Sequence, residues 1–237
     1  MKKTLVLTVL ILAGVGNLAA FEMTKSLTLS AQDVRRLEIR AGAGSLTVTG
    51  REGLAAIEVK AEVVARHVRD EDMDGFLKDR VELTLEKRGE VAVLVSRVRD
   101  RLRLFRFDDD AVINLTVSVP KDMPLEIDDG SGSIAVEDLA AVRIEDGSGS
   151  IRVDRIAGAV EIDDGSGEIE INDVTGNVSV DDGSGEIRIR RVGGTVTVDD
   201  GSGSIDIADV EKDVRLVRTG SGGVEVSNIK GQVVRSR

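Results

Sequence analysis

Three features of the sequence predict an all-β fold, a single-chain parallel β-solenoid with about 18 residues per coil. A Gly-Ser-Gly tripeptide returns at a nearly fixed interval, apolar–polar–apolar triplets lie between its copies, and charge alternates in sign from copy to copy. The tripeptides begin at Gly130, Gly147, Gly165, Gly183, Gly201 and Gly220, so the steps are 17, 18, 18, 18 and 19 residues. A period this short means one coil per repeat.

Each repeat carries two triplets with the period-two alternation of strands, such as Ile169-Glu170-Ile171 and Val178-Ser179-Val180. A further apolar residue sits between them: Leu139, Ile156, Val174, Val192, Val210 and Ile229. One coil cannot bury these side chains alone, so stacking on neighbours must supply the core. Glycine corners then recur at one place in successive coils, and the parallel-crossover rule predicts a right-handed winding. Stacked equivalents lie about 4.8 Å apart. Read down the stack, one outward row runs Asp138, Arg155, Asp173, Arg191, Asp209, Asn228. A second runs Ala135, Arg152, Glu170, Arg188, Asp206, Glu225, and a third begins Glu126, Arg143, Glu161. Opposite charges on neighbouring strands contribute about 0.2–1 kcal/mol each.

In chain order, residues 1–20 read as a signal peptide: Lys2 and Lys3, an apolar run from Leu5 to Leu12, then small residues up to Ala20, where cleavage is expected. The alternative is retention of this stretch as an anchor. Residues 21–124 form a less regular β-rich part, with strand patterns at Leu27–Leu29, Leu37–Ile39, Leu46–Val48 and Ile57–Val64. A short helix is expected near 71–78, then strands at Val81–Leu85, Val91–Val95 and Val112–Val119, with Arg88-Gly89-Glu90 as a hairpin. Residues 37–50 look like a degenerate first coil, which makes this part the insertion-bearing, capped beginning of the solenoid. Residues 125–237 carry the regular repeats.

Composition excludes several chemistries. Without cysteine there is neither a disulfide nor a thiolate metal site, and one histidine, His67, cannot form an imidazole cluster. No Trp or Tyr and four Phe leave no aromatic platform for bases or sugars. Loss of Lys2 and Lys3 leaves 32 − 2 = 30 basic against 43 acidic residues, a net charge of −13. From Leu125 onward 24 acidic residues face 12 basic ones, so nucleic acid is excluded as a partner of that half.

Val119-Pro120-Lys121, then Leu125-Glu126-Ile127-Asp128, then repeated Gly-Ser-Gly coils resemble the bacterial putative-adhesin family over roughly residues 30–237. The resemblance implies a β-solenoid in exported or envelope proteins, a domain of unknown function, and no catalytic residues to carry over. The regular acidic pair at each corner departs from the family pattern.

Those pairs are Asp128-Asp129, Glu145-Asp146, Asp163-Asp164, Asp181-Asp182 and Asp199-Asp200. Unlike the other rows, they keep one sign. The favoured reading is that the second residue of each pair, Asp129, Asp146, Asp164, Asp182 or Asp200, accepts amide hydrogen bonds from its Gly-Ser-Gly corner. The alternative is a carboxylate ladder holding Ca²⁺ between coils. Like charges about 4.8 Å apart repel by about 3–4 kcal/mol at an effective dielectric near 20, and charge-assisted hydrogen bonds of about 1.5–3 kcal/mol can offset that. No cofactor is therefore required. The nine-residue calcium roll places Asp two residues after the second corner glycine, where this chain has Ile134, Ile151, Ile169, Ile187 and Ile205.

A second candidate surface is the arginine-rich run holding Arg97, Arg99, Arg101, Arg103 and Arg106, with Leu104, Phe105 and Phe107 beside it. It reads either as a hairpin paired with nearby carboxylates or as a contact for an anionic envelope lipid, polysaccharide or protein. Catalysis has little to build on, since a serine triad would need His67 and no Gly-x-Ser-x-Gly elbow occurs. The expectation is an exported, non-enzymatic adhesion or scaffold module in the periplasm or at the cell surface. A calcium-responsive solenoid is the alternative, and an exported hydrolase a distant one.

Overall fold

The computed structural model describes residues 8–12, 21–65, 73–99 and 111–236. Of the expected signal peptide only β1 (Thr8–Leu12) is described, as a strand antiparallel to β2 (Phe21–Ser30). The next elements are β3 (Arg36–Ala41), β4 (Ala43–Arg51), β5 (Ala56–Ala65), α1 (Met73–Arg80), β6 (Val81–Arg88), β7 (Val91–Val98) and β8 (Ala111–Pro120). Six regular coils follow, each with one strand in each of two sheets. They are β9–β10 (Leu125–Asp129, Ser131–Leu139), β11–β12 (Val142–Asp146, Gly149–Ile156) and β13–β14 (Val160–Asp164, Gly167–Val174). Then come β15–β16 (Val178–Asp182, Gly185–Val192), β17–β18 (Val196–Asp200, Gly203–Val210) and β19–β20 (Val214–Thr219, Val224–Ile229), before a final strand β21 (Val233–Arg235).

Strands stack in parallel at the register read from the repeat: Ile151 lies beside Ile169, Ile169 beside Ile187, and Ile187 beside Ile205. Each coil turns five aliphatic side chains inward, as Val142, Ile144, Ile151, Val153 and Ile156 do at 0–3% exposure. Burial of each contributes about 1.5–3 kcal/mol. Backbone hydrogen bonds continue round both corners, from Gly165 N to Asp146 O at 3.0 Å on one side and from Thr175 N to Ile156 O at 2.9 Å on the other. The fold is the expected β-solenoid.

The uneven steps have local causes. The 17-residue step has two residues, Ala140 and Ala141, between its strands, where the next coil has Ala157, Gly158 and Ala159. In the 19-residue step the register shifts between Val198 and Asp199, which pair with Leu216 and Arg218, so Val217 is the extra residue of a bulge.

The beginning of the stack is not in chain order. β3 and β4 form a coil lying directly on β9 and β10, with Leu37 beside Leu125 and Gly44 beside Gly132. On its other side lie β7 and β8, also parallel, with Ile39 beside Leu94 and Val48 beside Val117. β7 and β8 thus supply the two strands of a further coil, placed outside the coil that precedes it in sequence. Beyond it the sheets turn antiparallel, through β5, β2 and β1 on one side and β6 on the other. α1 covers this end, burying Phe76 near Ala65, with the Arg80 guanidinium 5.2 Å from the ring centre. One apolar core runs from Met23 to Leu216.

Candidate functional site

The acidic corner begins with strand alternation. In β13, Val160, Ile162 and Asp164 occupy alternate positions and all point inward, while Glu161 and Asp163 face solvent. The second acid of every pair is therefore interior: Asp129, Asp146, Asp164, Asp182 and Asp200 are 1–7% exposed. Parallel register places them one above another. Beyond Asp200 the column continues to Thr219.

Each inner carboxylate meets its corner with one oxygen at most. The Oδ1 atoms of Asp164, Asp182 and Asp200 accept the amides of Ser166, Ser184 and Ser202 at 3.3, 3.2 and 3.2 Å. The Oδ2 of all five is buried without a hydrogen-bond partner, as is Oδ1 of Asp146. Burial, then the charge of Asp146, pushes Asp129 up to about 7 against the amide of Gly130. Burial and Asp146 likewise push Asp164 up to about 6. Asp146, Asp182 and Asp200 are raised as well, chiefly by burial. Among the described residues no group of three or more His, Cys, Asp or Glu side chains is arranged to hold a metal ion.

The outer acids Asp128, Glu145, Asp163, Asp181 and Asp199 form a parallel row on the surface. An arginine brackets each end of the row. Arg40 lies beside Asp128, and Arg218 lies beside Asp199 with Nε 2.5 Å from Oδ1.

The alternating row Asp138, Arg155, Asp173, Arg191, Asp209, Asn228 is a spatial ladder, but its residues are not in extended conformation. All six hold φ between 53° and 60°. The left-handed residue breaks the alternation, so that Leu139 and its equivalents face inward again one position later. Asp and Asn tolerate this backbone, and arginine does so at a cost. Arg155 and Arg191 each reach back one coil, Arg155 Nη2 to Asp138 Oδ2 at 2.9 Å and Arg191 Nε to Asp173 Oδ1 at 2.6 Å. These contacts hold both aspartates below the usual carboxylate range.

In the second row Arg152 meets Glu170 at 2.6 Å. Arg188 turns instead to Glu168 and Glu186, and Asp206 is taken by Arg190. Long side chains reach diagonal neighbours across the pleat. In the third row Arg143 bonds Glu161 and Glu145.

Of the arginine-rich run, Arg97 and Arg99 are described, and Arg101, Arg103 and Arg106 lie outside the described residues. Arg97 Nε and Arg99 Nη2 both meet Glu82 Oε2, at 2.7 and 3.1 Å, and hold its carboxyl below the usual range. Arg97 stands where the other coils enter their glycine corner, against Gly42. On the far side of the same corner Asn114 Oδ1 accepts the amide of Ser45 at 3.0 Å. His67 lies outside the described residues. A shallow groove of about 630 Å³ runs between residues 51–54 and 120–122, floored by Ala140 and Ala157, and Lys121 at its rim pairs with Glu52 at 3.3 Å. No helix among the described residues is long and apolar enough to cross a membrane.

Several solved structures resemble the chain. A "putative cell adhesion protein" of Clostridium sporogenes is 11% identical, over 92% of this chain and 99% of that one, with a TM-score of 0.33. A "putative lipid binding protein" of Parabacteroides distasonis is 14% identical over 90% and 97%, with a TM-score of 0.46. A "putative adhesin" of the same organism is 13% identical over 90% and 97%, with a TM-score of 0.27. No curated protein matches the chain. Residues 34–235 match the family model described as Toastrack DUF4097, in agreement with the resemblance carried by the Gly-Ser-Gly coils, and the chain belongs to that family.

Proposed function

We propose that the chain is an exported, non-enzymatic adhesion or scaffold module of the bacterial cell envelope. The observation that carries this reading is the contrast between the regular coils and the sequence that joins Val98 to Ala111. Along the regular coils many charged side chains pair with neighbouring coils, which spends them on rigidity. Between Val98 and Ala111 the sequence departs from this pattern, carrying an arginine-dense segment in place of Gly-Ser-Gly. Segments that interrupt a rigid scaffold are where proteins often place binding residues.

An anionic envelope component, lipid or polysaccharide, suits that segment, with Arg99, Arg101, Arg103 and Arg106 as contacts and Phe105 and Phe107 as apolar anchors. Export is supported by the order of charged, apolar and small residues in positions 1–20. The test is retention of the chain from residue 21 on vesicles of anionic phospholipid and on anionic polysaccharide at low salt. Wild type should be retained, and Arg99→Ser with Arg101→Ser and Arg103→Ser should weaken retention and its salt dependence. No retention of wild type on either would overturn the reading.

A further inference from the structure

The five inner aspartates present a problem that hydrogen bonding alone does not solve. A corner amide satisfies one oxygen of Asp164, Asp182 and Asp200, and the second oxygen is buried with no protein donor in reach. An ionised carboxylate in that position costs far more than a neutral acid with one unmet polar atom. Stacking at about 4.8 Å adds the repulsion of each neighbour if all are charged.

The charged groups facing the column do not relieve it. Asp129 meets the charges of Asp146 and Asp128, Asp164 those of Asp146 and Asp182, Asp182 those of Asp200 and Asp181, and Asp200 that of Asp199. At the ends the column meets uncharged positions, Ala41 beside buried Ser96 on one side and Thr219 on the other. From the opposite sheet come the glycines and serines of the corners. The arginines at the two ends of the outer row are already engaged, Arg40 with Glu38 and Arg218 with Asp199.

We infer that the inner aspartate column is an acid lock, held largely as neutral carboxylic acids in the folded rod, so that the coils are tightest in weakly acidic medium and loosen as the medium turns alkaline. Each acid takes its proton from water on folding. In Asp164, Asp182 and Asp200 Oδ1 remains the acceptor of the corner amide, and Oδ2 carries the proton. Carboxyls at this spacing titrate as a coupled set, in which an ionised member is flanked by protonated ones before the whole column ionises. The lock works through the coils themselves and is independent of the arginine segment and of any partner.

Two measurements on the full chain test it. Carbon-13 spectra of labelled aspartate carboxyls, followed with pH, should show a group titrating well above the remaining aspartates. The melting temperature should fall by about 5 °C or more between about pH 4.5 and pH 8, on the usual relation between stability and melting for a chain of this size. Asp164→Asn with Asp182→Asn replaces two acids by neutral isosteres and should flatten that fall. Aspartates that all titrate below about pH 5 in wild type would overturn the inference even if the variant failed to fold, because the ordinary range for the side chain lies there. An Asn variant that folds and keeps the wild-type slope would overturn it too.

Discussion

Arg191 reaches back one coil to Asp173, its Nε and Nη2 lying 2.6 and 2.8 Å from the two carboxylate oxygens, although both residues hold a left-handed backbone at φ 56°. The ion pair is exposed, so it contributes about 1 kcal/mol or less. The backbone demand is of similar size, since a residue with a Cβ is disfavoured there by about 1–2 kcal/mol and glycine is not. Asp173→Ala should therefore destabilise more than Asp173→Gly, by about 1 kcal/mol, the reverse of the usual order in a strand. Urea unfolding of the two variants decides it, and equal or reversed midpoints would contradict the backbone reading.

The second glycine of each corner should be the least replaceable residue of the repeat. A Cβ on Gly167 would stand 1.5 Å from the carbonyl oxygen of Gly149, at φ 150°. No side chain can move aside, because the obstacle is the backbone of the coil below. Gly167→Ala should cost at least about 3 kcal/mol or prevent folding. Gly53, at φ 71° with open space around it, supplies the control, and Gly53→Ala should cost only about 1 kcal/mol. Comparable losses at the two sites would show that close stacking is not what fixes the corner.

Stability should peak in weakly acidic medium, because two sets of carboxyls act in opposite directions. Asp138, Asp173 and Asp206 are held below their usual range by Arg155, Arg191 and Arg190. A depressed folded pKa gives stability that is present above the unfolded value and lost as pH falls through the folded one, so this limb lies below about pH 4. Solvent screens these exposed groups, and the limb should be shallow. The inner aspartates are raised, to about 7 at Asp129 and about 6 at Asp164. Their stability is present below the unfolded value and declines as pH rises through the folded values, on the alkaline side of the peak. Unfolding free energies across about pH 3–8 should trace both limbs, and a maximum above pH 7 would be inconsistent with the buried column.

Calcium should act on this rod as a screening salt. The inner carboxyls lie in a line, and no three of them are arranged around one point. Addition of a chelator should leave the melting temperature unchanged, and millimolar calcium should match sodium at equal ionic strength. A calcium-specific rise growing with the logarithm of free calcium would show a bound ion instead.

The repeat and its register were legible because Val and Ile recur at the same offsets from each Gly-Ser-Gly. The left-handed row was not. Arginine at two of its six positions hides a backbone that Asp and Asn alone would have signalled. The burial of the inner acids could have been read, since Leu125, Ile127 and Asp129 alternate on one face of a strand, as do Val142, Ile144 and Asp146. The Asp-Gly-Ser-Gly corner signals an amide bond to one carboxylate oxygen, and nothing in that tetrapeptide signals that Oδ2 is buried without a partner. The place of β7 and β8 in the stack was hidden for a different reason. The strands were visible, but nothing between them resembles a corner, and sequence order gave no sign that they stack beyond the coil of 37–50.

That inverted order is the most consequential feature of the architecture, because it joins the irregular part and the repeats into one rod. It can be tested directly, since the chain has no cysteine of its own. Thr47 lies beside Ala135 on one side and beside Thr116 on the other, at surface positions of neighbouring parallel strands. Strands about 4.8 Å apart bring Cα atoms into the range of about 4.4–6.8 Å that a disulfide spans. Under mild oxidation Thr47→Cys should cross-link with Ala135→Cys in one double variant and with Thr116→Cys in another, as mass spectrometry of the digested protein would report. Efficient cross-linking of Thr116→Cys with Ala135→Cys, and none of Thr47→Cys with Ala135→Cys, would mean that the coils follow chain order and would contradict the structure.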